Sequence, residues 1–109
     1  MFAGTKTTSK SEIMILDARP KINAFGNKFK GGGSEDASNY ETVDTSCELE
    51  FEGLENIKVV RDSYDALLGI CHNPQKYDSE KYYELIGGTK WLLHISKILK
   101  ASCRVVECL

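Results

Sequence analysis

The side chains with the widest chemical range in this chain are four cysteines, two histidines and three arginines. Cys47, Cys71, Cys103 and Cys108 include no Cys-x-x-Cys pair, and with only His72 and His94 beside them the spacing argues against a zinc site. Cys71-His72 sets a thiol next to a base in sequence. A nucleophile and its base meet in space, however, and no third residue is evident to orient the ring. His94 flanks an apolar stripe beside Trp91, which reads as a packed or half-buried histidine rather than a catalytic one. Asp17 and Arg19 close an apolar run and could serve chemistry there, but a structural ion pair is the simpler reading. Without a secretory signal the thiols are expected to be reduced, mostly as small buried hydrophobes.

The segment that positions most of this chemistry runs from Ile13 to Asn27. Ile13, Met14, Ile15 and Leu16 read as a strand buried on both faces. Pro20 suits the start of a helix and holds Arg19 extended. Ile22, Phe25, Gly26 and Phe29 follow at helical spacing, and Gly31-Gly32-Gly33 ends the unit. A strand–turn–helix results, and open α/β sheets bind ligands just past the carboxyl ends of their strands.

Lys30 to Asp44 reads as a surface loop around Tyr40. No Gly-Lys-[Ser/Thr] follows its glycines, which excludes a nucleotide P-loop of the usual form. Glu48 to Glu52 alternates, with Leu49 and Phe51 on one face, as in a half-exposed strand. From Ile57, the residues Val60, Tyr64, Leu67, Leu68 and Cys71 form one helical face, with Asn56 at the N-cap position. The free N–H groups at that helix start would suit an anion, although most caps merely cap. Asp78-Ser79-Glu80 starts a further helix that runs to Gly87-Gly88. Thr89 is expected to cap the last one, whose apolar set is Trp91, Leu92, Ile95, Ile98, Leu99, Val105, Val106 and Leu109.

Length and composition bound the answer. The 109 residues allow one domain at most, and hydrophobic and charged contents of 41% and 28% are those of a soluble globular protein. A net charge of −2 announces neither nucleic acid nor an anionic membrane. No apolar run approaches the ~20 residues of a transmembrane segment. Met1–Lys10 is expected to be a disordered N-terminal segment.

Several blocks together resemble the myotubularin phosphoinositide phosphatases. They are Asp17-Ala18-Arg19-Pro20, Asn23-Ala24, Asn27, the glycines 31–33, Glu35 and Tyr40, then Asn56-Ile57, Val59 and Arg61, then Thr89, Trp91-Leu92, His94 and Ile95. Ser34 stands where that family usually has an aromatic. The resemblance implies that residues 11–109 are part of an α/β, cysteine-phosphatase-like domain, a central sheet flanked by helices. It implies removal of the 3-phosphate from phosphatidylinositol 3-phosphate or 3,5-bisphosphate without a cofactor. It further implies that Asn27, Asn56 and Ile57 contact the phosphoinositide head group. Homo- or hetero-oligomers with other myotubularins, and a cytoplasmic location with peripheral association to endosomal membranes, belong to the same implication.

That chemistry needs a cysteine thiolate with an arginine six residues later, one to attack phosphorus and one to grip two phosphate oxygens. Six residues before Arg19, Arg61 and Arg104 stand Ile13, Glu55 and Ile98, so no Cys-x5-Arg loop is present. By the resemblance that loop would follow the helix ending at Leu109, and the chain alone is expected to be inactive. Two other readings stay open: a non-catalytic, scaffolding member of the family, and an orphan α/β module that works through its surface.

Overall fold

A computed structural model describes residues 11–109, which fall into two compact units. The expected disorder of residues 1–10 lies outside the described residues. One unit holds the described residues up to Asp17 together with Lys21–Phe51. The other holds Ala18–Pro20 and Glu52–Leu109.

The first unit is built on strands β1 (Ser11–Asp17) and β2 (Thr45–Phe51), which pair in parallel with Ile13 opposite Cys47 and Asp17 opposite Phe51. Helix α1 (Lys21–Lys28) lies in the connection between them, beginning one residue after Pro20. Parallel strands need a crossover of this kind, since a tight hairpin cannot join them. Mixed helix and strand is thus the observed class.

The expectation of a doubly buried β1 is not met. Ile13 is 41% exposed and Met14, Ile15 and Leu16 are only half-buried. The physical reason is the sheet's width: among the described residues it has two strands, so each has one unpaired edge and no described neighbour beyond it. β2 is also longer at its start than Glu48–Glu52 suggested, and its most buried residue is Cys47. The expected apolar face of α1 faces outward, with Ile22 77%, Phe25 62% and Phe29 81% exposed, while Ala24 is the buried residue.

The second unit is helical: α2 (Ile57–Cys71), α3 (Ser79–Gly88) and α4 (Trp91–Cys108), which contact one another pairwise. Gly53, at φ 69°, takes the left-handed turn that an L side chain resists, and the Leu54 N–H then donates to the Ala18 carbonyl at 2.7 Å. Tyr64 on α2 stacks at a tilt on Trp91 of α4, with ring centroids 5.1 Å apart. The most enclosed residues here are Ser63, His94 and Ala101. His94 is therefore packed, as its position beside Trp91 implied. Asp78 caps α3 by accepting the Lys81 N–H at 2.8 Å.

Three further expectations are corrected. Thr89 is not the N-cap residue of α4: it ends α3, donating its hydroxyl to the Ile86 carbonyl at 2.6 Å, and Lys90 takes the cap position in a left-handed conformation, although the Thr89 Oγ1 still accepts the Trp91 N–H at 3.3 Å. The apolar set assigned to α4 does not share one covered face, because Leu92, Leu99 and Val106 lie outward while His94 and Ala101 lie inward. Finally, Cys71, Cys103 and Cys108 are exposed, and only Cys47 is a buried thiol.

Candidate functional site

Asn27 owes its setting to the way α1 stops. The Gly32 N–H donates to the Asn27 carbonyl at 2.9 Å and the Gly31 N–H to the Lys28 carbonyl at 3.3 Å. These are the two bonds of a Schellman cap, and Gly31 supplies its left-handed residue at φ 83°. The backbone oxygen of Asn27 is thereby spent on the cap, while its side chain remains exposed on the last turn. A primary amide there can donate two hydrogen bonds and accept two.

The loop that follows is held by its own side chains rather than by burial. Asp36 accepts from the Ser38 N–H at 3.0 Å and the Ser38 hydroxyl at 2.7 Å, starting a short 3-10 turn over Ala37–Tyr40. The Ser38 hydroxyl, then its backbone N–H, hold the Asp36 carboxyl below its ordinary value. The Tyr40 hydroxyl donates to Glu35 Oε2 at 2.9 Å, and that bond pushes the phenol up. Glu35 and Tyr40, two of the residues that carried the resemblance, thus meet directly. Within this unit Lys21, Lys28, Glu35, Asp36 and Phe51 help to line an open cavity of about 550 Å³.

In the second unit Asn56 is the N-cap of α2, with extended backbone at φ −66° and ψ 161°. Its Oδ1 accepts from the Val59 N–H at 3.0 Å, and its carbonyl accepts the Val60 N–H at 3.2 Å. One orphan donor of the first turn is thereby satisfied, while the N–H groups of Ile57 and Lys58 have no intrahelical acceptor. They stand at the positive end of a 15-residue helix whose first turn carries no acid. Ile57 itself is 79% exposed. The cap uses only the oxygen of the Asn56 amide, and its NH₂ takes no part in it. Beside this helix start, Leu54, Ile57, Val60 and Ile98 line an open, largely apolar cavity of about 220 Å³, together with Glu55, His94 and Lys97.

Asn56 and Ile57 are therefore brought together at one helix terminus, whereas Asn27 sits in the other unit at the end of α1. Sequence reasoning missed that His94 lines the same cavity as Ile57. Its position one turn after Trp91 placed it in the packing, which is correct, but did not reveal the space beside it. Among the described residues no three His, Cys, Asp or Glu side chains gather to hold a metal ion, and no helix is long and apolar enough to cross a membrane.

The model of the myotubularin-like phosphatase domain matches residues 1–109. A phosphatidylinositol-3,5-bisphosphate 3-phosphatase of Caenorhabditis elegans, mtm-1, is 41% identical over 95 residues, covering 87% of this chain and 15% of that protein. The human phosphatidylinositol-3,5-bisphosphate 3-phosphatase MTMR4 is 36% identical over 101 residues, covering 93% of this chain and 8% of its own length. A mouse phosphatidylinositol-3-phosphate phosphatase, MTMR7, is 33% identical over 95 residues, 87% of this chain and 14% of the relative. The chain thus spans less than a sixth of the length of each of these relatives.

Proposed function

This chain belongs to the myotubularin-like phosphatase family, and from that premise we propose that it supplies head-group contacts of a phosphoinositide 3-phosphatase. The substrate class is phosphatidylinositol 3-phosphate or 3,5-bisphosphate, as in the names of its relatives. Residues 11–109 form part of a cysteine-phosphatase-like domain, and Asn27, Asn56 and Ile57 contact the inositol phosphates. The observation that carries this reading is the cap of α2. Asn56 uses its oxygen on the Val59 N–H, which leaves its own NH₂ and the Ile57 and Lys58 N–H groups as donors toward an anion. A carboxylate at that place would repel the same ligand, so an amide suits both tasks.

Bond breaking is a separate matter. Hydrolysis through a cysteinyl phosphate requires a low-pKa thiolate and a guanidinium, and these 109 residues contain no Cys-x5-Arg loop to supply them. The role assigned to this chain is positioning: it fixes the head group, and orienting a reactant is worth several kcal/mol of barrier, roughly 7–11 at best. Peripheral placement on endosomal membranes, and oligomers with other members of the family, belong to the same proposal.

A chimera tests it. The chain replaces the corresponding segment of the Caenorhabditis elegans relative, and phosphate release from short-chain phosphatidylinositol 3-phosphate is measured. Hydrolysis is expected to persist, and to fall at least tenfold when Asn27→Ala and Asn56→Asp are introduced together. A chimera as active with both substitutions as without them would overturn the assignment.

A further inference from the structure

We propose that the outward face of α1 is a membrane-contact ridge that seats this unit on an anionic lipid surface. The proposal deepens the phosphoinositide reading and rests on it for the choice of a membrane as partner. Three observations carry it. Ile22, Phe25 and Phe29 are 77%, 62% and 81% exposed, although α1 has a buried side at Ala24. Phe25 and Phe29 already touch edge to face, with centroids 5.5 Å apart, so the ridge offers a connected aromatic surface rather than scattered side chains. The segment that carries it is basic. Lys21, Lys28 and Lys30 stand in a segment that has no Asp or Glu from Ala18 through Ser34, within a chain of net charge −2.

At 100° per residue Ile22 and Gly26 lie opposite Ala24, Lys21 and Lys28 lie between Phe25 and Ala24 on one flank, and Asn23 and Asn27 lie on the other; Phe29 follows directly after the helix, against Phe25. Apolar side chains flanked by lysines are the arrangement that settles at a bilayer interface: the rings enter the acyl boundary and the ammonium groups meet lipid phosphates. Glu35 and Asp36, the next acids in sequence, hydrogen-bond within their own loop to Tyr40 and Ser38, and they share a cavity with Lys21 and Lys28 on the side of the ridge toward Ala24. Asn27 lies on the same short helix, so a ridge held at the interface keeps that amide at head-group depth.

Co-sedimentation of the purified chain with vesicles tests the proposal. Capture is expected with phosphatidylcholine vesicles that contain phosphatidylserine, not with phosphatidylcholine alone, and it should weaken as salt is raised. Lys21→Gln with Lys28→Gln should lower partitioning about 25-fold, from about fivefold per lysine. Phe25→Ser with Phe29→Ser should abolish capture while the thermal transition stays that of the parent, because both rings are exposed. Leu92→Ser with Leu99→Ser on α4 should leave capture intact. Equal capture by neutral vesicles would overturn the proposal, as would undiminished capture of the α1 variants. So would a dimer in light scattering that the phenylalanine variants dissolve while vesicles capture nothing, since the ridge would then face a second copy. These vesicles carry no phosphoinositide, so failure here leaves the head-group reading standing. Conversely, capture that adding phosphatidylinositol 3-phosphate fails to strengthen, whether or not Asn27 and Asn56 are replaced, sinks the head-group reading alone.

Discussion

Replacing Asn56 separates the two tasks assigned to it, because one atom of its side chain serves the fold and another serves the ligand. Asn56→Ala removes the Oδ1 that accepts the Val59 N–H at 3.0 Å. Val59 is 39% exposed, so water can reach the orphaned donor, and the expected loss is about 1 kcal/mol within the usual range of roughly 0.5–2. In a domain of this size that lowers Tm by about 4–8 °C. Asn56→Asp keeps an oxygen in place, and its charge at the start of α2 adds about 0.3–1 kcal/mol, so this variant should melt at or above the parent. Binding should order the two differently. Both lose the donor NH₂, worth about tenfold in affinity or more for a bond to a charged group, and the aspartate adds repulsion. The assay pairs thermal unfolding by circular dichroism with calorimetric titration of soluble inositol 1,3-bisphosphate. An aspartate variant as stable as the parent that also binds as tightly would refute the reasoning and leave Asn56 a cap only.

Other consequences follow from single residues. Lys90 holds φ 63° and ψ 9°, a conformation that costs a side-chain-bearing residue roughly 1–2 kcal/mol, so Lys90→Gly should stabilise by about 0.5 kcal/mol after glycine's own entropy is subtracted. Urea unfolding checks it, and a less stable glycine variant contradicts it. The hydrogen bond that the Tyr40 hydroxyl donates to Glu35 raises the phenol above its ordinary value of 10.0, so the stability this bond contributes is present below pH 10 and is lost as pH rises through the higher folded value. Spectrophotometric titration of the phenols should show late-titrating absorbance, part of which is lost in Tyr40→Phe and the rest of which belongs to Tyr82 beside Cys71; no loss of late absorbance in Tyr40→Phe contradicts the bond. Burial, above all, pushes the Cys47 thiol up, whereas Cys71, Cys103 and Cys108 are exposed. Maleimide at neutral pH should modify three thiols quickly and Cys47 only on unfolding, and equal rates for all four would contradict the burial.

What could be read from the sequence was mostly local. The Asn56 cap and the span of α2 followed from a side chain able to accept a first-turn N–H and from a regular apolar face, and both are observed. The start of α3 at Asp78-Ser79-Glu80 and its end at Gly88 were legible too. Thr89 misled because its hydroxyl suits a cap equally well at either side of a tight helix junction, and the preceding glycines did not reveal that Lys90 would carry the left-handed turn. Burial was the least legible property. Four apolar residues in β1 show what surroundings the strand suits, not how many strands adjoin it, and the two-stranded sheet leaves Ile13 exposed. Likewise the apolar residues of α4 exceed what α2 and α3 cover. The pairing of Glu35 with Tyr40 needed the loop's path, which no periodicity encodes.

The central claim is that this chain holds a phosphoinositide head group through Asn27, Asn56 and Ile57. The most direct measurement is a ¹⁵N–¹H correlation spectrum of the purified chain titrated with inositol 1,3-bisphosphate, with inorganic sulfate as the comparison. The account predicts saturable shifts at the backbone amides of Ile57 and Lys58 and at the side-chain amides of Asn27 and Asn56, larger for the inositol phosphate than for sulfate. Shifts confined to other residues, or identical for the two anions, would contradict it.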